Sequence, residues 1–575
     1  MSPCVLCKYR LYANIAEGSY GATSRPKGVI KKPYKRSQRD GNGTISVSMT
    51  NARRERNPEA MNGGALSLLP ALDEVRKHAS ARLDPQRRTV MGQFLTPSSI
   101  ANFMAGMFHC RKSTVRILDP GAGTGSLCAS LVLTLCQRPP RPATITVTAY
   151  EIDPILIGYL RQTLDRCRFV CEEVGISFQA RLVDHDFIEA GATGLAGDLF
   201  GAGEQERFDC AILNPPYRKI RTDSRERSLL RSIGLETTNL YTGFVAVAAR
   251  LLVPGGEIVA ITPRSFCNGP YFEPFRRYFL RDMRFRRVHV FDARDKAFGD
   301  DKVLQENVIF HAIRASEANP AVTVSASAAP GAEVRMRTVK PSELIDPHDR
   351  HRVIHVVPEK DGESTRDQIS SLGATLADLG LTVSTGRVVA FRVRDLLRAR
   401  PGKNTVPLIY PCHFKQSYVE WPNGKTRKPN ALALGPRAED LVVSQGYFVL
   451  TKRFSSKEER RRIVAAVYDP ARVAAHKVAF ENHLNYFHER GSGMPPTLAK
   501  GLTAYLNSSL VDAYFRQFSG HTQVNASDLR SLPYPGRSAL IALGQRIGTS
   551  FPGQEELDCL IDEVLFDGEE TCEQA

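Results

Sequence analysis

At 575 residues the chain is too long for one ordinary domain and has room for roughly three to four units of about 150 residues. Hydrophobic residues make up 42% and charged residues 24%, the balance of a soluble globular protein, and no apolar run nears the about 18 residues that a membrane span needs. The formal net charge of +16 points to a polyanionic partner such as nucleic acid and says nothing of the fold.

Residues 1–60 carry twelve Lys and Arg against four Asp and Glu, with Gly and Ser but no periodicity, and are expected to be a disordered basic segment. No apolar core follows Lys8 and Arg10, so this is not a secretory signal. Twelve cysteines without regular spacing read as reduced thiols, as in a cytoplasmic protein of bacterial type. Cys4 and Cys7 form half a metal site with no second pair, and His476, His483 and His488 lack acidic or Cys partners at ligand spacing. No metal is expected.

A helix is predicted over 70–83 with Pro70 in its first turn. From about 90 to 315, short apolar runs alternate with helical patterns. Strands are predicted at 115–120, 144–153, 208–216 and 256–263, and helices at 125–137, 154–175 and 239–252. Such alternation indicates a doubly wound, mostly parallel sheet. A late strand pair is predicted at 288–293 and 306–313. Residues 316–350 begin with an Ala-, Ser- and Pro-rich stretch, expected as a linker or edge hairpin. Beyond 350 the alternation is lost: strands are predicted at 441–454 and 461–469 and one helix at 498–518.

The strand at 115–118 runs into Asp119-Pro-Gly121-Ala-Gly123-Thr-Gly125, and glycines there let a ligand approach the backbone without meeting a Cβ. The loop lacks the Gly-Lys-Ser/Thr ending of a phosphate loop, and Asp119 suits an ammonium group better than an anion. Glu151, at the end of the second strand, is placed to accept from ribose hydroxyls. Asp186, at a third strand end, is placed to accept from an adenine amino group. Each acid taken singly also reads as a helix cap; at three successive strand ends they specify an ammonium, a ribose and an adenine without phosphate. That ligand is S-adenosylmethionine.

At the fourth strand end stand Asn214, Pro215, Pro216 and Tyr217. Neither proline can donate to a strand ladder, so the strand stops there. An exocyclic amine on adenine is a poor nucleophile because its lone pair is delocalised. The Asn214 side chain and the Pro215 carbonyl can accept both its N–H hydrogens, and Tyr217 can stack on the base. Reaching that atom in a duplex requires extruding the nucleotide.

These residues carry a resemblance to the N6-adenine DNA methyltransferases of restriction–modification systems, in the motif order that puts target recognition last. "QFLTPSSIANFM" (93–104) is similar to their N-terminal cofactor motif, with Thr96 and Pro97 near the methionine moiety. "ILDPGAGTGSL" (117–127) looks like their cofactor loop, and Glu151 and Asp186-Phe187 follow in the expected order. "FDARDKAFGDDKVLQENVIF" (291–310) resembles the loop that supplies a second aromatic to the extruded base, which implies Phe298 opposite Tyr217. The resemblance is strong over roughly 90–315 and looser to about 535.

It implies an α/β fold: a Rossmann-like, class I S-adenosylmethionine-dependent catalytic domain over 61–315 and a mixed α+β target-recognition domain over 351–540, followed by a helical tail at 541–575. It implies double-stranded DNA as substrate and leaves room for a cognate restriction endonuclease as partner. DNA contacts are expected from Lys415, Tyr418, Trp421, Lys425, Arg427 and Lys428, since cations neutralise phosphates and aromatics stack on bases. The stretch 451–462 adds a second basic cluster, and Gln517, Gln523 and Asn525 are candidates for reading adenine edges.

Protein glutamine methyltransferases use the same tetrapeptide, but the long, basic C-terminal half favours DNA. A ribosomal RNA amino-methyltransferase, an N4-cytosine DNA methyltransferase and a non-catalytic DNA-binding subunit stay open as alternatives. Cytosine C5 methylation is set aside, because the Pro-Cys pairs at Pro3-Cys4 and Pro411-Cys412 lie outside the cofactor domain. No convincing nuclease motif is present in the sequence.

Overall fold

A computed structural model describes residues 64–84, 86, 92–199, 206–292, 306–315, 321–357, 361–424, 426–455, 459–518 and 523–566. Phe298 and Lys425, and the expected disordered segment at 1–60, lie outside the described residues.

Helices α1 (Gly64–Arg82) and α2 (Ser98–Ala105) precede the first strand. Pro70 falls inside α1, which starts earlier than the periodicity predicts. Then strand and helix alternate: β1 (Thr114–Pro120), α3 (Ser126–Gln137), β2 (Thr144–Tyr150), α4 (Pro154–Glu173), β3 (Ser177–Val183), α5 (Phe187–Leu199) and β4 (Phe208–Leu213). Helices α6 (Arg225–Ser232) and α7 (Leu240–Arg250) lead to β5 (Leu252–Pro263), and α8 (Glu273–Asp282) leads to β6 (Met283–Phe291) and β7 (Asn307–Arg314). The stretch 316–350 extends the sheet through a hairpin of β8 (Val322–Ser327) and β9 (Val334–Val339).

Among the described residues these strands form one nine-stranded sheet in the order β3-β2-β1-β4-β5-β7-β6-β8-β9. The first five are parallel, and β7 enters antiparallel between β5 and β6. This is the Rossmann-like class I methyltransferase arrangement. Both faces are covered, as a parallel sheet requires. The period of two is visible along β4: Cys210 and Ile212 join the core against α2, α3 and α4, while Ala211 and Leu213 join the core against α5 and α7. The order reverses between β1 and its neighbours β2 and β4, so a crevice opens beyond their carboxyl ends.

Among the described residues the C-terminal half holds a six-stranded and a five-stranded sheet with a helical cluster. The predicted strand at 441–454 is two strands in different sheets, Val442–Ser444 and Phe448–Lys452. The predicted helix at 498–518 is two, Pro496–Leu506 and Ser509–Phe518, broken where Asn507 turns its amide to Ala465. Helices at Arg537–Arg546 and Gln554–Leu565 follow. Buried Arg264, directly after β5, ties the two halves: its guanidinium pairs with Glu306 and donates to the carbonyls of Val356 and Gln517. Among the described residues no helix is long and apolar enough to cross a membrane, and no cluster of metal-ligating side chains is present.

Candidate active site

The glycine loop between β1 and α3 adopts backbone angles that its sequence alone allows. Gly121, Gly123 and Gly125 have φ of +76°, +61° and +82°, a region costly for any residue with a Cβ. Gly121 and Ala122 donate to the Tyr150 carbonyl at 2.9 and 2.8 Å, which sets the loop against the end of β2. Gly125 sits at the start of α3, where a Cβ would lie 2.8 Å from the Leu160 side chain.

A cavity opens beside this loop, walled by Thr96, Gly121, Gly123, Glu151, Asp186, Phe187, Asn214 and Pro216. Glu151 is the best-held acid in it. One carboxylate oxygen accepts from Gly123 at 2.8 Å and the other from Ile152 and Asp153, each at 2.8 Å. Burial raises its carboxyl pKa, and these amides oppose the rise by favouring the charged form. The oxygen that accepts only from Gly123 keeps a second lone pair for a ribose hydroxyl. Asp186 caps α5 by accepting from Glu189 at 3.0 Å and also faces the cavity, so the cap and the site coincide.

Asp119 departs from the expectation of a direct ammonium contact. Its side chain is fully buried beneath the loop and is not part of the cavity wall. One oxygen accepts from the Cys128 amide at 3.2 Å, the other has no hydrogen bond, and burial pushes the carboxyl up to about 7. Pro97 likewise leaves the wall and serves as the residue before α2.

The tetrapeptide ends β4 at the rim of the cavity. Asn214 donates through Nδ2 to the Phe94 carbonyl at 2.8 Å and to Thr96 Oγ1 at 3.1 Å. Both partners come from the stretch before α2, so that segment fixes the amide with its oxygen as the end left to accept. Pro215 is buried. Tyr217 donates its hydroxyl to the Ile261 carbonyl at 3.2 Å, and its ring lies between Phe94 (5.8 Å) and Tyr241 (6.2 Å). Burial raises the Tyr217 pKa, which keeps the hydroxyl a donor.

The apolar wall is not foreseen from sequence. Ile152, Leu240 and Phe244 line the cavity with Phe187, whose ring is 5.2 Å from those of both Tyr150 and Phe244. The only signal is the spacing of Leu240 and Phe244 on one helical face. The cavity suits S-adenosylmethionine on chemistry: apolar surface for a base, acids where hydroxyls and an amine would sit, and two carboxylates that disfavour phosphate.

The expected DNA-contact stretch is divided. Tyr418 is 4% exposed, with the Arg472 guanidinium 3.7 Å over its ring and Phe551 at 5.3 Å, so no base can reach it. Trp421 packs on a core cluster and donates to the Asn430 carbonyl at 2.6 Å. Lys415 is exposed but paired to Glu420 at 3.0 Å; Arg427 and Lys428 are exposed. Gln517 is buried at the Arg264 contact, and Asn525 caps the turn of helix at Ala526–Arg530 with Asp528.

Sheet order, glycine loop and the acid at the end of β2 together define a class I S-adenosylmethionine-dependent methyltransferase. A family model described as Eco57I restriction-modification methylase matches residues 164–298. Type II methyltransferase M.PstI of Providencia stuartii is 40% identical over 508 residues, covering 88% of this chain and 99% of that protein. Type II methyltransferase M.BsuBI of Bacillus subtilis is 41% identical over 504 residues, covering 87% of this chain and 98% of that protein. The solved structure of the Type IIL restriction-modification enzyme MmeI in complex with DNA aligns at 12% identity and a TM-score of 0.48, over 87% of this chain and 75% of that one. The chain belongs to the Type II DNA methyltransferases of restriction–modification systems. Its methyl donor is S-adenosylmethionine.

Proposed function

We propose that this methyltransferase modifies the N6 amine of an adenine extruded from duplex DNA. The observation that carries the reading is the Asn214 amide, pinned through Nδ2 to Phe94 and Thr96 at the cavity rim. With the donor end engaged, Oδ1 accepts one N–H of the target amine and the Pro215 carbonyl accepts the other. Two acceptors out of the ring plane favour a more tetrahedral nitrogen and free its lone pair for attack. When bound, S-adenosylmethionine supplies an electrophilic methyl on a sulfonium. Transfer of that methyl would form the N–C bond as the donor's S–C bond breaks, with the amine's proton leaving to water. Tyr217 offers its ring to the base, and Phe298 is the proposed second aromatic.

Within this reading Glu151 binds the ribose hydroxyls, Asp186 the adenine amine of the cofactor, and Thr96 with the loop glycines its methionine part. Asp119 acts from beneath the loop. Residues 351–540 are the proposed target-recognition unit, supported by sheets and core clusters of their own. A cognate restriction endonuclease is the expected companion of such an enzyme.

The test is to incubate the protein with labelled S-adenosylmethionine and duplex DNA, digest to nucleosides and identify the labelled one. N6-methyladenine supports the reading. Label in N4-methylcytosine would move the target to the chemically similar cytosine amine, and label on protein glutamine would overturn the proposal.

A further inference from the structure

Of the aromatics expected to meet DNA, Tyr418 is buried and Trp421 is half-buried against the core, yet two large rings stand exposed elsewhere in the C-terminal half: Phe391 at 66% and Phe454 at 43%. Phe454 and the chain that leads into Phe391 both contact the turn at 481–485. On one flank the chain at 386–388 is tied to that turn, Gly386 donating to the Leu484 carbonyl at 2.8 Å and Asn482 to the Val388 carbonyl at 2.9 Å. On the other flank Arg453 donates to the His483 carbonyl at 2.8 Å, and the Phe454 ring lies 4.9 Å from that of His483.

The loop that leaves Val388 is strongly basic. Residues 386–403 contain four arginines beyond Arg387 and a lysine against one aspartate, Asp395, which is already paired with Arg437 at 2.6 Å. Among the described residues the side chains of Arg394, Arg400 and Lys403 have no ion-pair or hydrogen-bond partner, and the Arg392 guanidinium meets only the Phe391 ring, at 5.6 Å. The loop is nevertheless anchored: Val388, Val393, Leu396 and Leu397 pack on a core cluster. Unpaired cations held on a firm base neutralise a polyanion at little ordering cost.

The Phe454 flank adjoins the link to the catalytic half. Phe454 bridges to Gln523, and Val524 donates to the Arg453 carbonyl at 2.7 Å. The same segment follows helix Ser509–Phe518, whose Gln517 carbonyl is held by Arg264 at the end of β5. That strand neighbours β4, whose last residue, Leu213, precedes Asn214.

We propose that the 386–403 loop and the Arg453–Phe454–His483 flank are the surface that grips duplex DNA. Arg392, Arg394 and Arg400 sit on phosphates, and Phe454 stacks on a base unstacked by extrusion of the target. The inference rests on the DNA-methyltransferase reading and assigns its contact surface to residues other than the 415–428 stretch.

The test measures DNA affinity as a function of salt. For Arg392→Gln/Arg394→Gln/Arg400→Gln, the slope of log K against log salt falls by about two to three, near 0.9 for each phosphate no longer neutralised. The comparison variant Lys415→Gln/Arg427→Gln/Lys428→Gln keeps the wild-type slope. Phe454→Ala and Phe454→Leu weaken binding by between about fivefold and a hundredfold. Cofactor affinity and melting midpoint stay at wild-type values in all four. An unchanged slope in the loop variant, or flattening confined to the comparison variant, overturns the assignment while leaving DNA methylation standing. Absence of salt-dependent DNA binding by the wild type overturns the reading beneath it.

Discussion

Asn214 Nδ2 lies 2.8 Å from the carbonyl oxygen of Phe94, 120 residues earlier in the chain. This bond, with the 3.1 Å bond to Thr96 Oγ1, decides which end of the amide can serve a substrate. Thr96→Val removes the second acceptor and leaves the first. Loss of one neutral hydrogen bond is worth about 1 kcal/mol, so transfer is expected to slow roughly fivefold. Thr96→Ser, which restores the hydroxyl, is expected to recover it. Single-turnover rates on the two variants check this; equal rates for valine and serine would sink it.

Gly92 supports the same tetrapeptide from outside. Its carbonyl accepts from the Tyr217 amide at 3.2 Å, its φ is +66°, and an added Cβ would lie 2.8 Å from Tyr217 N and 2.9 Å from Tyr217 C. Both contacts are to backbone, which cannot swing aside. Gly92→Ala is expected to cost at least about 1 kcal/mol of stability and to depress transfer by moving Tyr217. Denaturant unfolding and rate measurements together test it, and a variant with wild-type rate would contradict the contact's importance.

For Tyr217 the ring and the hydroxyl separate cleanly. Tyr217→Phe loses the 3.2 Å bond to the Ile261 carbonyl, at about 1 kcal/mol of stability, and keeps the face for a base. Transfer is expected within about threefold of wild type. Tyr217→Ala removes the face and is expected to lose most of the transfer. Comparable rates in the two would show that stacking is not the role.

Asp119 gives a pH signature to the cofactor-free protein. Its carboxyl is pushed up to about 7 by burial, from an ordinary value of 3.8. Between these values the folded state holds a proton that the unfolded state releases, so this group's contribution is full below about 3.8 and is lost as pH rises through about 7. Asp119→Asn removes the titration, and the wild-type-minus-variant stability is expected to fall across that window by an amount on the order of 4 kcal/mol. Glu151 shifts in the same direction but titrates in both proteins. Parallel stability curves for wild type and variant would refute the shift.

The catalytic half is legible in the sequence because its strands are short, apolar and punctuated. Cys210-Ala-Ile-Leu213 between a polar run and two prolines admits one reading, and the glycine loop names its own backbone. The rest is hidden for identifiable reasons. Asp119 reads as a contact residue because sequence gives its position at a strand end but not the depth of the loop above it. Tyr418 and Trp421 read as a DNA-binding stretch because an aromatic between lysines looks alike whether its ring faces solvent or core; only the distant Arg472 and Phe551 decide it for Tyr418. The 386–403 loop does not stand out, since Val388, Val393, Leu396 and Leu397 blur its charge pattern with residues that serve as anchors.

Asn214 is the residue proposed to hold the target amine. The most direct test measures single-turnover methyl transfer to duplex DNA by Asn214→Ala and Asn214→Asp, with S-adenosylmethionine affinity determined on the same preparations. Both variants are expected to keep the cofactor and lose transfer, the aspartate because a carboxylate cannot donate to the Phe94 carbonyl. Transfer at the wild-type rate by either, with cofactor bound, would contradict the assignment.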